Sequence, residues 1–150
     1  WDSYARGTIV GLTRGVNKKH IVRATLDSIA YQIRDVVSIM EQESGHSLAA
    51  LRVDGGPTKN GYLMQFQTDM LGCPVEVPDA AELSAIGVAY AAGIAIGIYD
   101  AATIFDQMER KSFRPDMPEA RRDELLKGWQ AAIRQTIHAV YDGCERINPY

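Results

Sequence analysis

The sequence predicts an α/β domain with parallel strand pairing, and three observations carry that prediction. Short β-branched runs, Arg6–Thr13 (RGTIVGLT), Ala50–Asp54 (ALRVD) and Pro74–Pro78 (PVEVP), alternate with longer segments whose apolar residues recur every three or four positions. Glycines stand where one period gives way to the other, at Gly15, Gly45, Gly55, Gly56 and Gly72. The 150 residues are 46 % hydrophobic and 23 % charged, which suits one domain with one core. Alternation of this kind pairs the strands in parallel and lays helices on the sheet faces.

Composition also excludes several classes. The net charge is −3 and the 16 basic residues are scattered, apart from the pairs Lys18-Lys19 and Arg121-Arg122, so no basic stripe for nucleic acid exists. Cys73 and Cys144 show neither CxxC nor His spacing, which argues against zinc and against a disulfide framework and suits a reducing cytoplasm. The uncharged run Ala85–Tyr99 falls short of the roughly 20 residues a membrane span needs, so it reads as a buried helix. No initiating Met and no signal-peptide pattern is present, and Trp1 looks like the middle of a connection, as in a fragment of a longer protein.

Each element has its own signal. Arg6–Thr13 has the Thr, Ile and Val content of a strand, and Gly15 ends it. Asn17 is a fair N-cap for a helix to about Glu43, whose stripe Val22, Leu26, Ile29, Ile33, Val36 and Met40 is expected to face the core. Gly45 closes that helix, and the strand Ala50–Asp54 follows. A second helix is expected from about Thr58 to Leu71, closed by Gly72. The segment PVEVP, bracketed by prolines, suits a short strand near a sheet edge. Asp79 and Glu82 place negative charge at the start of a third helix, about Glu82–Ile98, which Gly87, Gly93 and Gly97 interrupt. Their spacing fits no phosphate loop, so they are read as permitting close approach to a sheet or another backbone. Ala101–Met108 suggests a short helix, and Phe113, Arg114 and Pro115 a polar link. Pro118 opens a last helix to about Asp142, with Leu125, Leu126, Trp129, Ile133, Ile137 and Val140 as its inner stripe.

The stretch Leu51–Phe66, LRVDGGPTKNGYLMQF, reads as strand, tight turn and helix. Gly55 and Gly56 can take positive φ and carry no Cβ, so a ligand can lie against the backbone there. Pro57 suits a first helical turn, where its missing N–H is no loss. Unpaired N–H groups and the positive end of the helix dipole favour an anion, phosphate first among them. Asp54, Gly55 and Gly56 also fall at the carboxyl end of a strand, where α/β sheets bind ligands. The plainer alternative is a strand-to-helix connection whose glycines only make the turn.

Three long segments, WDSYARGTIVGLTRGVNKKHIVRATLDSIAYQIRDVV, LRVDGGPTKNGYLMQFQTDMLGCPVEVP and ELSAIGVAYAAGIAIG, resemble the C-terminal domain of the FGGY carbohydrate kinases, most closely its glycerol kinases. The resemblance implies a partial ribonuclease-H-like ATPase domain of the actin, hexokinase and sugar-kinase superfamily, with additional C-terminal helices. It makes residues 1–150 a C-terminal kinase fragment on the nucleotide-binding side, with the upstream strands and N-terminal domain absent. It also implies transfer of the γ-phosphoryl group of ATP, with Mg2+, to a polyol, glycerol first. By the same resemblance Gly56 makes backbone contact with the nucleotide near its phosphates, Asn60 hydrogen-bonds it from one turn into the following helix, and Gly55 keeps the approach open. Asp54 either ties down the turn or acts through water or magnesium. The sequence reads DGGPTKNG where the glycerol kinases often read DGGAVANN, and ELSAIGVAYAAG where they often read TALGAAYLAG, which weakens the choice of glycerol over another polyol or sugar.

No catalytic residue and no metal ligand is assigned, because the family's base, first phosphate turn and polyol pocket lie upstream. The fragment alone is therefore expected to be inactive. His20, His46 and His138 match no catalytic position: the first two flank helix ends at the surface and the third falls on the outer side of the last helix. A cytoplasmic homo-oligomer acting on a small molecule, with neither nucleic acid nor membrane as partner, is expected. A ketopentose kinase and a non-catalytic α/β interaction domain are the alternatives.

Overall fold

The computed structural model describes residues 5–79, 83–104 and 109–141. The chain divides into two compact units, Leu26–Asp116 and Trp1–Thr25 with Met117–Tyr150.

The first unit is built on a three-stranded sheet of order β1 (Leu51–Arg52), β2 (Val75–Pro78), β3 (Arg110–Phe113). As expected from the alternation, β1 and β2 pair in parallel, with Leu51 opposite Val75. The bonds Leu51 N–H to Pro74 O (2.9 Å) and Val53 N–H to Glu76 O (3.0 Å) carry that pairing on to Val53. Two expectations are corrected. The polar link is in part strand β3, antiparallel to β2 with Val75 opposite Phe113 and Pro78 opposite Arg110. Consequently β2 is the middle strand rather than an edge. Its prolines are tolerated because they sit at its ends. At Pro78 the ladder bond comes instead from Asp79 N–H to Glu109 O, so the missing N–H costs no bond to β3.

Alternation sorts the side chains onto two faces. Leu51, Val53, Val75, Val77 and Phe113 pack against Leu63 and Met64 of helix α2 (Gly61–Leu71), and this is the core. Arg52, Glu76, Pro78, Arg110 and Ser112 belong to the second face, which carries the ion pair Arg52–Glu76 (3.2 Å). Gly72 closes α2 in the left-handed conformation, φ 73°, with its N–H on Thr68 O.

Helix α1 (Lys18–Ser44) begins as expected, with Asn17 Oδ1 accepting the Lys19 N–H at 2.9 Å. Beside α2 it packs Tyr31 edge-on against Phe66 (5.5 Å, 87°), and the Tyr62 hydroxyl donates to Asp27. On the other flank of α2, Gln65 donates to Arg114 O (2.9 Å) and Asp69 accepts the Asp116 N–H (2.8 Å). Because residues 114–116 follow β3, α1 lies toward the β1 side of the sheet. This overturns the expected inner stripe: Ile29, Val36 and Met40 are exposed, Leu26 and Ile33 half-buried, and the buried residues of α1 are Ala30 and Val37. The reason is geometric, since among the described residues the sheet ends at β1 and leaves no strand beneath the wide stripe. Near the C-terminal end of α1, Glu41 accepts the Leu48 N–H at 2.8 Å and pairs with Arg34 at 3.1 Å, which together hold its carboxyl below the ordinary 4.5.

Helix α3 (Leu83–Ala95) stops earlier than expected. Gly97, φ 75°, ends the helix rather than interrupting it: Gly97 N–H donates to Ile94 O and Ile98 N–H to Gly93 O, a Schellman closure. Gly93 is needed for packing, because a Cβ there would meet the Tyr99 ring at 2.2 Å. Glu82 and residues 105–108 of the expected short helix lie outside the described residues; residues 101–104 form turns.

In the second unit, Arg6–Thr13 is an irregular segment, not a strand, with Ile9, Val10 and Leu12 exposed. A strand exists only by pairing, and no ladder partner for it is present among the described residues. Helix α4 (Glu119–Tyr141) starts where Pro118 predicts, the Pro118 carbonyl accepting the N–H groups of Arg121 and Arg122. Leu125, Leu126, Trp129, Ile133 and Ile137 are half-buried, as an inner stripe should be, and the side chains of His138 and Val140 lie outside the described residues.

Candidate nucleotide site

The segment Asp54–Asn60 leaves β1 and doubles back into α2. Gly55 has φ 92° and ψ 179°, a conformation only glycine adopts readily. Its carbonyl is held twice by Thr58, through the N–H (3.1 Å) and the hydroxyl (2.7 Å). Sequence reasoning missed that clamp; a Thr three residues beyond the glycine was the available signal. Gly56 is different. It has no positive φ, and a Cβ added to it would meet nothing within 4 Å. Nothing inside the chain demands glycine at position 56, so the open space beside its backbone is available to a ligand.

Pro57 opens a 3-10 turn, Gly56–Lys59, and α2 starts only at Gly61. Asn60 is thus the N-cap of α2, not a residue one turn into it. Its Oδ1 accepts the Leu63 N–H at 3.2 Å, and its backbone carbonyl accepts Met64 N–H at 3.1 Å. With Oδ1 committed to the cap, the amide keeps two N–H donors that the cap does not use. Asp54 is exposed, and its carboxylate makes no hydrogen bond or ion pair among the described residues, so the role of tying down the turn is not seen. Gly55, Gly56 and Asn60 are therefore brought onto one short arc at the carboxyl end of β1.

Other sequence candidates lie elsewhere. His20, exposed, accepts the Asn17 N–H at 3.2 Å through Nδ1 at the start of α1, and His46 is exposed beyond its end. The Cys73 thiol is pushed up from its ordinary value, by burial first and by the Glu41 carboxylate second, which is the reverse of an activated nucleophile. No group of three His, Cys, Asp or Glu able to hold a metal ion occurs among the described residues. No helix among them is long and apolar enough to cross a membrane.

Comparison with known proteins gives this geometry its family. The chain is 51 % identical over 140 residues to glycerol kinase 1 of Clostridium tetani, and 52 % over 139 residues to glycerol kinase of Bacillus subtilis. These alignments take in 92 % and 91 % of the chain but 28 % of either relative, so the chain spans little more than a quarter of their length. Among solved structures it resembles Plasmodium falciparum glycerol kinase with ADP, at TM-score 0.82 and 33 % identity over 91 % of the chain and 28 % of that structure. It also resembles ligand-bound xylulose kinase of Lactobacillus acidophilus, at TM-score 0.76 and 25 % identity over 93 % of the chain and 29 % of that structure. The α/β architecture is thus that of the sugar kinases, in partial form. Residues 1–96 match the description "FGGY family of carbohydrate kinases, C-terminal domain", and the chain belongs to that family.

Proposed function

We propose that the full-length protein transfers the γ-phosphoryl group of ATP to glycerol, and that this part of it supplies one wall of the nucleotide site. The observation that carries the reading is the turn Asp54–Asn60: a backbone left open at Gly56 next to an asparagine whose Oδ1 is already used by its own helix. In this reading Gly56 lies against the nucleotide near its phosphates, Gly55 makes the turn that permits the approach, and Asn60 donates through its amide. The glycerol kinase relatives, and the ADP-bound glycerol kinase of similar structure, support the choice of chemistry. Phosphoryl transfer needs a metal, a base for the acceptor hydroxyl and a clamp on the β and γ phosphates. We assign Mg2+, the base and the polyol pocket to the rest of the full-length protein, and place the enzyme in the cytoplasm as a homo-oligomer. The 150 residues by themselves are then inactive. A ketose acceptor is the second reading, favoured by the likeness to xylulose kinase at the lower identity of 25 %.

The test is made on the full-length protein with ATP and Mg2+, comparing glycerol with D-xylulose as acceptor, and by titrating ATP into two variants. Asn60→Ala removes both the cap and the donor, whereas Asn60→Asp keeps a cap acceptor for Leu63 and removes the donor. Loss of one hydrogen bond, about 0.5–1.5 kcal/mol, weakens ATP two- to tenfold. Asn60→Asp is expected to melt as wild type and still lose ATP affinity. A folded Asn60→Asp enzyme that binds ATP normally while losing its acceptor would overturn the assignment.

A further inference from the structure

On the sheet face turned away from α2 lies a cavity of about 450 Å³, roofed by α3. Leu83, Ile86, Gly87 and Tyr90 line it at the spacing i, i+3, i+4 and i+7, which is one face of a helix. Its floor is the second face of the sheet, with Arg52 and Arg110. The two arginines differ. Arg52 is paired with Glu76, but the guanidinium of half-buried Arg110 makes no hydrogen bond, ion pair or ring contact among the described residues. Asp54 also lines the cavity, from just beyond β1, a strand two places and so roughly 9–10 Å of backbone away from β3, which carries Arg110.

A guanidinium presents five N–H donors in a planar fork that matches phosphate or carboxylate, and a half-buried one without a partner is a site with unused binding capacity. Beside it stands an apolar wall that is firmly placed: Tyr90 is braced edge-on by Tyr99 (5.6 Å, 71°), and the Schellman closure holds Tyr99 over Gly93. At Gly87 the wall is open, since an added Cβ would meet nothing within 4 Å. A volume of this size falls within the range of small-molecule pockets.

We propose that this cavity binds a small organic phosphate, with the phosphate on Arg110 and a short apolar body against Leu83, Ile86 and Tyr90. It is a second anion site, adjoining the glycine turn at Asp54 but centred on Arg110 and α3, and it does not depend on which acceptor the enzyme phosphorylates. The test uses the full-length protein saturated with a non-hydrolysable ATP analogue, so that the nucleotide site is filled, and titrates phenyl phosphate and inorganic phosphate by calorimetry. Phenyl phosphate is expected to bind more tightly than inorganic phosphate, because only it uses the apolar wall. Arg110→Ala is expected to weaken it by about tenfold or more, as loss of a charged hydrogen-bond partner does. Gly87→Leu fills the open wall and is expected to abolish binding, with the melting temperature and the ATP affinity unchanged. Absence of phenyl phosphate binding, or equal binding by wild type and folded Arg110→Ala, overturns the proposal. A protein that binds phenyl phosphate in this Arg110-dependent way yet phosphorylates neither glycerol nor xylulose leaves the cavity standing and removes the kinase reading alone.

Discussion

The two glycines of the turn make opposite predictions, because they are glycine for different reasons. At position 55 the reason is internal: φ 92° with ψ 179° is hostile to a side chain, so Gly55→Ala is expected to strain the turn by about 1–3 kcal/mol and lower the melting temperature. At position 56 the chain offers a Cβ open space, so Gly56→Ala and Gly56→Val are expected to fold and melt much as wild type. Their cost falls on the ligand. A branched side chain forced between backbone and nucleotide produces the overpacking that costs about 1–3 kcal/mol in a filled site, or a five- to hundredfold rise in the ATP dissociation constant. Calorimetric titration of the full-length protein with ATP and, separately, with glycerol, together with a thermal melt, distinguishes the two effects. Acceptor affinity should be unmoved in Gly56→Val. A folded Gly56→Val protein with wild-type ATP affinity would refute the reasoning, and the turn would then be a connection and nothing more.

Three further outcomes follow from named contacts. The Glu41 carboxyl is held below 4.5 by Leu48 N–H and Arg34, so the stability it contributes is present above about pH 4.5 and is lost as pH falls through its lower folded value; Glu41→Gln should flatten the acid limb of a plot of melting temperature against pH. Cys73 should react slowly with iodoacetamide at neutral pH and faster as the pH is raised, because its thiol is pushed up by burial and by Glu41; rapid alkylation of the folded protein at pH 7 would contradict this. The exposed stripe at Val36 and Met40 should make the 150-residue chain, prepared alone, associate in sedimentation, and Val36→Lys with Met40→Lys should reduce that association; a monodisperse wild-type chain at high concentration would count against it.

Much of the fold was legible because its signals are local. Asn17 and Gly72 each act through the hydrogen bonds and dihedral angles of their own turn, so a cap can be named without knowing what the helix packs on; Gly97, expected to interrupt α3, ends it instead. The glycine turn was legible for the same reason, and Pro57 shows the limit. Pro57 does open a helix, but that helix is a single 3-10 turn, after which Asn60 restarts the chain as an α-helix, and that shift changes Asn60 from an interior residue into a cap. What the sequence hid is non-local. The run Arg-Lys-Ser-Phe of β3 has no strand pattern of its own and becomes a strand because β2 offers it an edge. The stripe on α1 has a clear period, but a period says only that one face differs from the other; which face is buried depends on how far the sheet extends beneath it, and here the small residues Ala30 and Val37 are buried instead. The same reasoning separates the two proposed anion sites. The turn could be found from seven consecutive residues, whereas the cavity is lined by Arg110 from β3 and Tyr90 from α3, and Arg110 reaches that face of the sheet only through the antiparallel register with β2.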